Sequence, residues 1–165
     1  MRSRGRRSAT HVVLVSAALL VSGACASNRT PERNFSTRAE ATQGGGFEPG
    51  WLPAARVPPS GKNIKARRDL GSNELWARFD FDDPDRAGLP SGCRRIGQQE
   101  LRLPASQTRG IGWWPEMLRS DPAVAVQQFE VYACPEAGGT QPAHLAVHRS
   151  LSTAFYWRAR AEPEP

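Results

Sequence analysis

Residues 62–82 confine the fold more than any other stretch. Over 64–70, Ile64, Ala66 and Leu70 alternate with Lys65, Arg67 and Asp69. Over 75–81, Leu75, Ala77, Phe79 and Phe81 share one face and Trp76, Arg78 and Asp80 the other. Period-two alternation on both sides of Gly71-Ser72-Asn73, which is turn chemistry, predicts a β-hairpin. Two registers keep the apolar faces together. A 71–74 loop sets Ile64 opposite Phe81, Leu70 opposite Leu75 and Lys65 opposite Asp80. A Gly71-Ser72 loop instead sets Lys65 opposite Arg78, a like-charge pair that disfavours it, so the longer loop is expected.

The remainder of the chain extends a sheet. Over 124–134, Phe129, Val131 and Ala133 lie on one face. Residues 144–148 and 153–158, joined by Arg149-Ser150-Leu151-Ser152, form a second predicted hairpin. Phe155-Tyr156-Trp157 places aromatic rings on both faces, as in a central strand covered on both sides. Pro84 and Pro115 open short helical turns. With 15 glycines and 14 prolines, and without long 3.6-period apolar runs, the chain favours strands and loops over a helical bundle. The expected fold is α+β: an antiparallel sheet of about five strands in two hairpins, with one or two short helices on one face. It occupies 47–160, after a polar segment at 25–46 that is expected to be a flexible tether ending in Gly44-Gly45-Gly46 and before a loose tail at 161–165.

The start of the chain bears on location. Arg2, Arg4, Arg6 and Arg7 precede an apolar run over 12–24, which is too short to span a bilayer and of the length of a signal h-region. Val21-Ser22-Gly23-Ala24-Cys25 closes it, and this resembles the bacterial lipoprotein box, with Ser22 where leucine is commonest. The resemblance implies removal of 1–24 and acylation of Cys25, palmitate included, which would anchor the protein in the cell envelope through lipid. Ala26 follows the cysteine where inner-membrane retention would call for aspartate, so the expectation is the outer membrane, facing the periplasm. Removing the signal takes four arginines and no acids, leaving 18 basic against 16 acidic side chains. The near-neutral remainder withdraws the nucleic-acid reading that the pI of about 10.0 suggests.

Three cysteines are present: Cys25, Cys93 and Cys134. With Cys25 acylated, the other two are expected to bridge, as a pair does outside the cytoplasm. The alternatives are two separate buried thiols, or a reactive Cys93 beside Arg94 and Arg95.

Chemistry-bearing residues do not assemble into a motif. Asp80, Asp82, Asp83 and Asp85 invite calcium, but counting from Asp80 the sixth position is Asp85 and the twelfth Ser91, where an EF-hand loop needs glycine and glutamate. A strand end followed by an N-cap is the better reading. His144 and His148 on a strand stand ~13 Å apart, too far to share a metal. A pairing of Asp82 with Glu116 for acid–base work has no local support. Of Trp113 and Trp114, one is expected to pack and one to be partly exposed. No catalytic residue, metal or cofactor is assigned.

Trp51-Leu52-Pro53, Pro58-Pro59-Ser60 with Ile64, Asn73-Glu74 before an aromatic strand, Trp114-Pro115 and Tyr156-Trp157 resemble a group of small bacterial lipoproteins without assigned activity; Gly61 departs from the alanine common there. The expected role is a non-catalytic binding or accessory protein with an envelope protein partner. The alternatives are an envelope hydrolase with a carboxylate site, or an immunity or inhibitor protein for a secreted toxin.

Overall fold

The computed structural model describes residues 30–104, 108–136 and 143–158. The signal, Cys25 and the 161–165 tail lie outside them. The strands are β1 (Glu32–Thr37), β2 (Lys62–Arg68), β3 (Leu75–Asp80), β4 (Arg94–Arg95), β5 (Phe129–Cys134), β6 (Ala143–His148) and β7 (Thr153–Arg158). The helices are α1 (Arg38–Gln43) and α2 (Pro122–Gln128), with 3-10 turns at Ala54–Arg56, Asp83–Gly88 and Glu116–Leu118. The strands form one seven-stranded sheet in the order β1-β2-β3-β7-β6-β5-β4, and every pairing is antiparallel. The sheet therefore exceeds the expected five strands; β1 and β4, one at each edge, are additions.

β7 holds the middle of the sheet. Its Tyr156 packs into a core on one face with Ile64, Leu75, Phe79, Leu145 and Val147. Its Phe155 and Trp157 pack into a second core with Trp76, Phe129, Val131 and Ala146. Because strands this apolar on both sides must be covered twice, the helices divide between the faces and do not share one. Ala41 of α1, with Leu52 and Val57, covers the first core; Ala125 of α2, with Ile111, Trp114 and Leu118, covers the second. Trp114 meets Phe155 and Trp157 edge-on at 5.6 and 5.8 Å between centroids, contacts worth ~0.5–1.5 kcal/mol each beyond burial. Arg119 fixes this cover by donating to the carbonyls of Thr108, Ile111 and Trp114.

The expected tether at 25–46 contains β1 and α1. Phe35 of β1 pairs with Ile64 and packs on the first core. Thr37 caps α1 by accepting from the Glu40 N–H at 3.2 Å, while the Glu40 carboxylate reaches back past the N-cap to the Ser36 N–H at 2.8 Å, a variant of the capping box. The glycine run is a packing device: a Cβ on Gly44 or Gly46 would stand 2.7 Å from the Phe35 ring.

The β2–β3 register is the one the like-charge argument disfavoured. Lys65 faces Arg78, Ala66 faces Ala77 and Arg68 faces Leu75. The turn is held by the Asp69 carboxylate, which accepts from the N–H groups of Gly71 and Ser72 at 2.7 and 3.0 Å. Asp80 meanwhile offsets the charge of Arg78 at 3.2 Å. Further along, the register shifts between Lys62 and Lys65, and Asn63 adopts φ 49° within this bulge.

Cys93 and Cys134 lie at disulfide distance, S–S 2.10 Å and Cα–Cα 4.3 Å. The bridge joins the segment entering β4 to the end of β5, and Cys134 is buried in the first core.

Candidate ligand-binding groove on the β1–β3 face

The residues alternating with Phe35, Ile64 and Ala77 point to the second face of the sheet, where polar side chains replace the aromatic core over β1, β2 and the end of β3. Asn34 stands opposite Lys65, and Lys65 opposite Arg78, so an amide and two cations form one row across three strands. Ser36, Asn63 and Asp80 line the same depression, of about 380 Å³.

The charges are unevenly matched. Asp80 accepts from Asn63 at 3.0 Å, from Thr153 at 2.8 Å and from Arg78 at 3.2 Å. Burial alone would raise its pKa, but these donors outweigh burial and hold the carboxyl below its ordinary value. Arg78 gives one nitrogen to Asp80, while its Nε is buried and has no partner among the described residues. Lys65 has no ion-pair partner among the described residues. The bulge turns Asn63 toward Asp80, and bulges of this kind re-aim side chains beside functional sites.

The other candidate residues are held apart by separate structural partners. Asp82 pairs with Lys62 at 2.7 Å. Asp83 accepts from Ser152 at 2.6 Å, and Asp85 from the Ser60 N–H at 3.1 Å. Asp82 occupies the N-cap position of the Asp83–Gly88 turn without a side-chain capping bond. Glu116 pairs with Arg119 at 3.2 Å and does not meet Asp82. His144 stacks on Trp157 at 5.0 Å; burial, then Arg102, pushes its pKa down to about 4. His148 accepts from the N–H groups of Ser150 and Leu151 at 3.2 and 3.1 Å, securing the β6–β7 turn. No group of three or more potential metal ligands converges among the described residues. Trp114 is buried, while Trp113 is partly buried and donates to Glu32 at 3.2 Å.

A further cluster escaped the sequence reading. Glu136 pairs with Arg158 at 3.1 Å, both side chains largely buried, and accepts from the Tyr156 hydroxyl. Arg158 also donates to the carbonyls of Asn73 and Gly50, tying β7 to the β2–β3 turn and to the segment covering the first face. The groove residues were missed as well. Their one legible signal was cationic character at outward positions of both strands, and the disfavoured register was the one that joined them.

No helix among the described residues is long and apolar enough to cross a membrane. No curated protein and no solved structure matches the chain. Residues 30–80, which include β1, β2 and β3 and thus every lining residue of the groove, match one family profile, described as the YbbD head domain.

Proposed function

We propose that this protein is an envelope lipoprotein, anchored through Cys25, that acts as a non-catalytic binding or accessory protein and engages its partner at the β1–β3 groove. The observation that carries this reading is the groove itself: an open polar row, with a cation that has no ion-pair partner among the described residues, on a sheet otherwise covered on both faces. The carboxylates elsewhere serve structural contacts, which suits binding better than acid–base work. The class we assign is α+β.

The early start of the fold shortens the leash. Thr30, the first described residue, follows Cys25 by five positions, a maximal reach of roughly 18 Å. An acylated Cys25 would thus hold the domain beside the bilayer, with β1 nearest the anchor. The test is crosslinking in intact cells followed by purification. The reading expects one envelope protein enriched with the wild type over an unrelated domain carrying the same anchor, and lost in Cys25→Ala. Equal recovery from the control domain would refute it.

A further inference from the structure

We propose that the groove is an oxyanion site, in which Lys65 and Arg78 together receive one carboxylate or phosphate group with Asn34, Ser36 and Asn63 as flanking polar contacts. This deepens the binding reading above and does not depend on lipid at Cys25.

Three observations converge. Lys65 and Arg78 are direct cross-strand partners, so their Cβ atoms lie ~5 Å apart, and like charges so placed repel unless an anion offsets them. Asp80 is already engaged by Asn63, Thr153 and Arg78; with it the groove still carries one surplus positive charge. Arg78 gives one nitrogen to Asp80, and its side chain is 31% exposed where it lines the groove, so the guanidinium can donate further. A carboxylate or phosphate oxygen there would supply the missing counter-charge in the charge-assisted geometry arginine favours. Asp80 is then a positioning residue: it holds one end of the guanidinium and leaves the rest to the ligand. Asn63, at φ 49°, takes the left-handed conformation that asparagine tolerates, which turns its amide onto Asp80.

The experiment is an NMR titration of the ¹⁵N-labelled full chain in micelles, with inorganic phosphate and separately with acetate, at ionic strength held constant by chloride. Saturable shifts are expected at the amides of Ser36, Asn63 and Lys65. Lys65→Gln should weaken the binding about tenfold or more, and Arg94→Gln, at the opposite edge of the sheet, should leave it unchanged. Arg78→Lys, which keeps the charge and loses the fork, should weaken it too. Whichever anion saturates the site identifies the ligand group as phosphate or carboxylate. Non-saturating shifts with both anions, or unchanged affinity in Lys65→Gln, would overturn the proposal. The cellular crosslinking separates the two readings. A partner captured equally by wild type and Lys65→Gln sinks the oxyanion site and leaves the accessory role. Saturable anion binding without any enriched partner does the reverse.

Discussion

Gly46→Ala distinguishes a packed amino-terminal segment from a loose one. A Cβ at Gly46 would stand 2.7 Å from Phe35 Cε2, 3.0 Å from Ala41 Cβ and 3.0 Å from the Ala41 carbonyl oxygen. The carbonyl belongs to the backbone and cannot swing aside, and the partly buried Phe35 ring packs against the first core. Overpacking of this kind costs ~1–3 kcal/mol. The stiffer unfolded chain of an alanine variant returns up to ~1 kcal/mol, so the net loss is ~1–2 kcal/mol. For a domain of roughly 130 residues this lowers Tm by roughly 3–8 °C. Urea unfolding followed by tryptophan fluorescence reads it as a lower midpoint at unchanged slope. Gly97→Ala, where a Cβ meets nothing within 4 Å, is the matched control. If the two variants agree within ~0.3 kcal/mol, residues 32–46 are not packed on the sheet.

Two further perturbations probe the opposite end of the sheet. His144 is buried with a pKa of about 4, against ~6.5 when unfolded. The unfolded chain therefore binds the proton more readily, and stability present above pH 6.5 is lost as pH falls toward 4, by roughly 2 kcal/mol between pH 7 and 5. His144→Phe keeps a ring against Trp157 and should flatten that part of the profile; an unchanged slope would contradict the burial argument. Cys93→Ser removes a bridge across 41 residues and should cost on the order of 4 kcal/mol. Reductant should destabilise the wild type similarly and leave the variant unmoved, whereas insensitivity of the wild type would mean the bridge does not constrain the unfolded chain.

The sheet was legible where apolar alternation was dense. The aromatic rings of Phe155, Tyr156 and Trp157 announced a doubly covered central strand, and β7 is the central strand. The β2–β3 hairpin was legible from its turn and alternation, but its register was not. A pairwise charge rule sees Lys65 against Arg78 and does not see Asp80 neutralising the arginine or Asp69 fixing the turn. β1 was illegible as a strand because its six residues carry one apolar side chain, Phe35. Its neighbour left a readable trace, since Thr37 and Glu40 stand at capping-box spacing ahead of α1. β4 pairs over only two residues, too few for any periodicity. The groove was beyond reach for a related reason: its walls come from the outward positions of three strands, and only the register fixed at the Gly71-Ser72 turn, with the bulge at Asn63 beyond Lys65, brings them together.

The most direct test of an anchored, envelope-resident binding protein is the intact mass of the native molecule, taken without reduction and again after it. The account predicts a chain beginning at Cys25, carrying acyl groups there, and gaining two protons on reduction as the Cys93–Cys134 bridge opens. A full-length polypeptide still bearing its four amino-terminal arginines, free of acyl chains and with three titratable thiols, would contradict it.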